Sequence, residues 1–181
     1  MTRRAAALAL ALLPALAWWC PSTPAAAAAG VYVQPQDFIA SAFDGNPPKP
    51  ETLWPSPALQ KRIVAALGHP YKQLRIRYWR QQQRTAWVLD EIGKEEEITI
   101  GFVLSGDAIE RTDVLVFRET RGWEIRFESF TRQFAGARLA AADNLDRRID
   151  GITGATLSVG AYQRLARMAL LLHQEVLAGA R

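Results

Sequence analysis

"ITIGFVLSGDAIERTDVLVF", residues 98–117, decides the fold. Ile98 to Leu104 is apolar and partly β-branched, a composition that suits a strand. "SGDA", residues 105–108, is a hairpin turn signal, and Ile109 to Phe117 follows as the returning strand. Two further strand-like runs precede this pair. Thr85 to Ile92 comes after a polar turn at Gln81 to Gln83. Before that turn, Leu74, Ile76 and Tyr78 alternate with Arg75, Arg77 and Trp79. Short turns between successive strands predict an antiparallel meander. The charge run Lys94 to Glu97 reads as a solvated turn between two of these strands.

Helical signals flank the strands. Pro35 to Phe43 reads as a short helix, and "DGNPPKP", residues 44–50, as a loop that its prolines keep irregular. Ser56-Pro57 opens a second helix, with Ser as N-cap and Pro at the first helical position, and Gly68 follows its last turn. Leu59, Ile63, Val64 and Leu67 form its apolar stripe, and His69 is expected in a solvated loop. Downstream, Phe127, Phe130 and Phe134 have helical spacing, which predicts a short helix ending near Gly136. Arg138 to Arg148 is polar and irregular, with room for one short strand. Ala161, Tyr162, Leu165, Met168, Ala169, Leu172 and Val176 then recur at spacings of three and four, one face of a helix of about five turns. His173 lies near its end, where a cation favours the helix dipole. The fold class expected is α+β: an antiparallel meander with flanking helices and a long C-terminal helix.

The chain has 181 residues and its first thirty differ from the rest. Arg3 and Arg4 precede an apolar stretch, Ala5 to Trp19, and a small-residue run closes it. This is the layout of a secretory signal peptide over residues 1–29, removed near Ala25 to Gly30. Residues 30–70 then form an N-terminal helical segment and 71–181 the main domain. The competing readings are a lipoprotein signal ending at Cys20 and an uncleaved anchor. The two tryptophans before Cys20 oppose the first, and the short core interrupted by Pro14 opposes the second. Cleavage removes the only cysteine and two arginines, so the formal charge falls from +4 to +2. That balance gives no reason to expect a nucleic-acid partner. The two histidines, His69 and His173, show no metal-ligand spacing.

"DGITGAT", residues 150–156, stands at the mouth of the long helix. Small residues there let a ligand reach the backbone. The first amides of a helix lack intrahelical partners, and the dipole puts partial positive charge beside them. "GITGATLS", residues 151–158, with Thr153, Gly154, Ala155, Thr156, Leu157 and Ser158, therefore reads as a phosphate-binding helix N-terminus. A plain helix cap explains the same residues equally well, since the stretch is neither a G-x-G-x-x-G nor a Walker A loop.

The stretch resembles the Asp-x-x-(Ser/Thr)-Gly-Ala-Thr motif of the periplasmic FMN-binding domain family. That family includes the FMN-carrying subunits of sodium-translocating NADH:quinone reductase and of its ferredoxin-linked relative. "VLVFRETRGWE" resembles the family's strand ending in Arg/Tyr-Glu-x-x-Gly, and "FTRQFAG" its Phe-x-x-Gln-Phe-x-Gly segment. The resemblance runs from about Ile98 to Val176. It implies that Thr156 carries FMN through a phosphoester, attached after export by a flavin transferase that uses FAD and a divalent metal. It implies that Asp150 helps position or deprotonate the Thr156 hydroxyl in the transferase complex. It also implies an electron-transfer role with an unidentified membrane or periplasmic redox partner.

A bound flavin ring needs apolar contacts on its faces and donors at its N1–C2=O edge. Arg118 and Thr120 are candidates for the edge, with Glu119 between them facing the flavin from the same loop. Phe127, Phe134 and Leu157 are candidates for the faces. Among the hydroxyls, Thr153 is expected to support the turn or cap the helix. Ser158 is expected to bond the backbone within the first turn. A different class remains open, a non-redox exported module that holds a phosphate-bearing ligand reversibly at the same helix mouth. A hydrolase with a threonine nucleophile is disfavoured, because no histidine lies near Thr156 in sequence.

Overall fold

The computed structural model describes residues 30–179; the expected signal segment, Cys20 included, lies outside them. The elements run α1 (Pro35–Ala42), β1 (Glu51–Leu53), α2 (Pro57–Leu67), β2 (Ile76–Gln81), β3 (Arg84–Ile92), β4 (Glu97–Ser105), β5 (Ala108–Phe117), α3 (Glu128–Thr131) and α4 (Thr156–Ala178). The five strands form one sheet in sequence order, each antiparallel to the next. The chain is thus an α+β meander with a long C-terminal helix. β1 was not legible beforehand: three residues after a proline-rich loop carry no periodicity, and they pair only along β2.

Helices cover the sheet on both faces, which is why β4 is buried almost throughout and β3 is buried or half-buried along nearly all of its length. On one face α4 and α2 pack over Ile76, Tyr78, Trp87, Leu89, Ile100, Phe102 and Leu104. On the other, Phe38, Ile39, Ala42 and Phe43 at α1 meet Ala86, Val103, Leu115 and Val116. Gly101 makes that second contact possible, since a Cβ there would stand 2.5 Å from the Phe38 ring.

Ser56 caps α2 as its sequence predicts, its hydroxyl accepting from the Leu59 amide at 3.2 Å, and Gly68 closes the helix in the left-handed region with φ 87°. The stripe is shifted by one position. Ala66 takes the buried place with Leu59, Ile63 and Leu67, and Val64 is exposed. Leu74 is exposed ahead of β2, outside the alternation assigned to it. The expected Phe127–Gly136 helix is broken into the single turn of α3 between two 3-10 turns, Trp123–Arg126 and Arg132–Phe134. The irregular 138–148 stretch holds one bridge, Leu139 to Leu145, rather than a strand. α4 has 23 residues, longer than the expected five turns.

Both histidines have partners that sequence could not show. The His69 ring Nε2 lies 2.9 Å from Oε1 of buried Glu91, which also accepts from Arg164 at 3.0 Å. His69 is therefore tied down rather than simply solvated. The hydrogen bond to Glu91 raises its pKa above the ordinary histidine value. His173 is fully buried between the Thr85 hydroxyl, 2.7 Å from Nδ1, and the Gly106 carbonyl, 2.9 Å from Nε2. Burial lowers its pKa, so it is a neutral core group and not the dipole-pairing cation expected from its position.

Candidate functional site

The mouth of α4 has no side-chain cap. Ala155 is the N-cap residue, with φ −118°, and Gly154 before it sits at φ 84°. Thr153 therefore does not cap the helix. The turn is closed instead by backbone, the Ala155 amide donating to the Ile152 carbonyl at 3.0 Å. The Val159 amide makes the first intrahelical bond, to the Ala155 carbonyl at 2.9 Å. The amides of Thr156, Leu157 and Ser158 precede it and have no helical acceptor. Thr156 and Leu157 are exposed at this opening, while Ala155 and Ser158 are buried beneath it.

Gly122 holds the opposite wall against the helix start. Its φ is 86°, and a Cβ there would come within 2.7 Å of Ser158 Oγ and 3.3 Å of Ala155 Cβ. The loop after β5 can press on the first turn of α4 only with glycine at that point. Between loop and helix lies a cleft of about 600 Å³, lined by Lys94, Glu95, Glu119, Thr120, Arg121 and the run Gly154 to Ser158. Its volume is in the range of small-molecule sites, about 300–1,000 Å³.

The turn 94–96 walls this cleft because Glu119 anchors it. One carboxylate oxygen, Oε1, accepts from three consecutive amides: Lys94 at 2.5 Å, Glu95 at 2.7 Å and Glu96 at 3.0 Å. Such a nest of amides is an anion site, and here the protein's own carboxylate fills it. Partial burial works to raise the Glu119 carboxyl, but the three amide bonds outweigh it and hold it below the usual carboxylate range. Lys94 to Glu97 is thus a turn fastened to the site, not merely a solvated one. Arg118 points elsewhere. Its Nη1 donates to the Glu97 carbonyl at 3.0 Å and lies 3.5 Å from Thr99 Oγ1.

A second groove, of about 320 Å³, lies on the other side of the motif. Phe127, Gln133, Asp150, Gly151 and Ile152 are among its lining residues. Gln133 clamps the start of the motif: its Oε1 accepts from the Asp150 amide at 2.7 Å, and its Nε2 faces the Asp150 carbonyl at 3.5 Å. Two of the stretches singled out in the sequence, "FTRQFAG" and "DGITGAT", are therefore joined by hydrogen bonds. Phe127 is 45% exposed and meets Trp123 edge to face at 5.3 Å.

The structure gathers Glu119, Thr120, Gly154, Ala155, Thr156, Leu157 and Ser158 into one cleft. It places Asp150 and Phe127 in the neighbouring groove. Phe134 belongs to neither: it is fully buried and stacks on Tyr162 with ring centres 4.6 Å apart. Its spacing in sequence was a core signal, and it has no free face for a flavin. Arg118 and Thr153 also line neither cleft. Gln133 and Arg121 also belong to these two sites, and although both stand inside the stretches that carry the resemblance, residue type alone does not mark them.

An exposed threonine, unpartnered amides beside it and small residues over it are the donor set and space that a phosphate-bearing ligand requires. Leu157, 54% exposed, gives the same opening an apolar side. A comparison with family models matches residues 93–171 to the FMN-binding domain. No curated protein and no solved structure matches the chain. The matched span contains both clefts, the Glu119 anchor and the whole 150–156 motif. Residues 93–171 are thus similar to an FMN-binding domain, and the mouth of α4 lies inside the matched span.

Proposed function

We propose that the protein is an exported electron carrier that holds FMN covalently through Thr156. One observation carries this reading. The hydroxyl of the matching motif stands exposed at the first position of α4, beside three amides with no helical acceptor, in a cleft inside the span that matches an FMN-binding domain. The bound flavin supplies reversible electron transfer; the chain supplies attachment, orientation and tuning. The amides of residues 156–158 hold the phosphate. Leu157 offers contact to the ring, and Thr120 offers a hydroxyl to its polar edge. Glu119 keeps the 94–96 turn in place as the outer wall.

Attachment needs a flavin transferase with FAD as donor and a divalent metal. The Thr156 oxygen attacks the phosphorus on the FMN side of the FAD pyrophosphate. The new Thr–O–P bond forms as the bond to the bridging oxygen breaks. AMP leaves with that oxygen, and a base takes the hydroxyl proton. Asp150 lies in the adjacent groove, so in this reading its carboxylate meets the threonine only once the transferase is bound. A covalent link suits a carrier in the periplasm, where lost cofactor would not be replaced. Electrons pass on to a membrane or periplasmic redox partner.

The test is colour that survives unfolding. Protein exported from a host with the transferase is expected to stay yellow after precipitation in acid and washing in denaturant. Flavin that washes out entirely would overturn covalent attachment and support a reversible, non-redox binding module.

A further inference from the structure

We propose that Arg121 binds the cofactor's phosphate at the mouth of α4, and so selects phosphorylated flavin over riboflavin. This rests on the placement of the phosphate beside Thr156. The cleft and the strand beside it offer three cations. Arg118 is committed to the Glu97 carbonyl and turned toward β4. Lys94 is paired with Glu95 at 2.7 Å. Arg121 lines the cleft, is exposed, and makes no hydrogen bond or ion pair among the described residues.

Two features fix Arg121 where it can act. Gly122, its neighbour, is packed against Ala155 and Ser158 so closely that no side chain fits between them. Residue 121 is therefore held beside the first turn of α4. Oε1 of Glu119, two positions earlier in the same loop, is taken up by three backbone amides, and Glu119 makes no ion pair with Arg121 among the described residues. The guanidinium is left free in a cleft that already has amide donors for one side of a phosphate. A guanidinium supplies two parallel donors to a second side. A phosphodiester to Thr156 keeps one negative charge, so the pairing persists once the cofactor is attached. Helix amides alone favour any anion; the added arginine makes the phosphate, which riboflavin lacks, a requirement for tight binding.

The test compares FMN and riboflavin on full-length protein made without a transferase, for wild type, Arg121→Gln and Arg118→Gln. Wild type is expected to prefer FMN. Arg121→Gln is expected to weaken FMN about tenfold, the scale of a charged hydrogen bond, and leave riboflavin unchanged. Arg118→Gln should alter neither. Equal loss of both flavins in Arg121→Gln, or selective loss in Arg118→Gln, would overturn the assignment. The loaded protein gives the same answer where free flavin binds too weakly to measure. Its phosphorus-31 resonance should move in Arg121→Gln and stay in place in Arg118→Gln; the reverse pattern contradicts the proposal. A wild-type protein that carries no covalent flavin yet shows the FMN preference would remove the linkage and keep the role of Arg121. Absence of both would remove both.

Discussion

Gly122 shows how one residue without a side chain assembles the site. Gly122→Ala must bear a left-handed φ and a Cβ pressed on Ser158, a cost of about 1–3 kcal/mol in unfolding free energy. Gly106→Ala is the control, because φ there is 66° and nothing lies within 4 Å of the added Cβ. Urea denaturation should find Gly122→Ala clearly the less stable of the two; equal stabilities would mean that the loop yields freely. This contact also marks what the sequence could and could not say of the site. Thr156, Gly154 and Ala155 were legible, since hydroxyl and missing bulk at a helix start are properties of residue type and position. Arg118 and Phe134 were misplaced because the direction of a side chain is set by neighbours from other elements. Thr99 and the Glu97 carbonyl claim the arginine, and Tyr162 claims the ring. Gln133 stood in plain view, but its partner Asp150 is 17 positions away.

At the scale of elements, α2 and α4 are joined to the sheet by polar contacts that titrate. His69, after α2, gains Glu91 as a partner on folding, and its pKa rises above 6.5. The stability it contributes is complete below about that value and is lost as pH climbs through the raised folded pKa. His173, within α4, has its pKa lowered by burial. Its protonation in the unfolded chain costs stability as pH falls below 6.5, so the two histidines oppose each other. The difference between wild type and His69→Gln isolates the first. Wild type should gain stability relative to the variant on going from pH 8 to about pH 6, by urea melts at each pH. A difference independent of pH would assign the contact to packing alone. Element types were legible wherever period and caps agreed: Ser56 to Gly68 for α2, and the alternation in β2. The three residues of β1 and the broken turns around α3 were not, because lateral pairing and tertiary packing, rather than local propensity, create them.

For the whole molecule, the family match begins at residue 93, in the turn between β3 and β4, inside a continuous sheet. The unit that folds is larger than the unit that matches. Leu59, Ile63 and Leu67 of α2 share one core with Leu165, Met168 and Leu172 of α4. Residues 71–179 expressed alone are therefore expected to lose cooperative unfolding in urea, having left that face of α4 bare. A sharp transition at wild-type denaturant concentration would show that α1 and α2 are accessory. The meander and the long helix were readable from one chain, because order and antiparallel pairing follow from short turns. The two-sided covering of the sheet was not, since nothing local says on which face α1 lies. All of this architecture converges on one hydroxyl at the start of α4. Peptide mapping by mass spectrometry of protein exported alongside a flavin transferase tests that point most directly. The account predicts the mass of FMN less one water on Thr156, and none on a Thr156→Val protein that is exported normally. That mass on Thr153 or Ser158, or on the Thr156→Val protein, would contradict it.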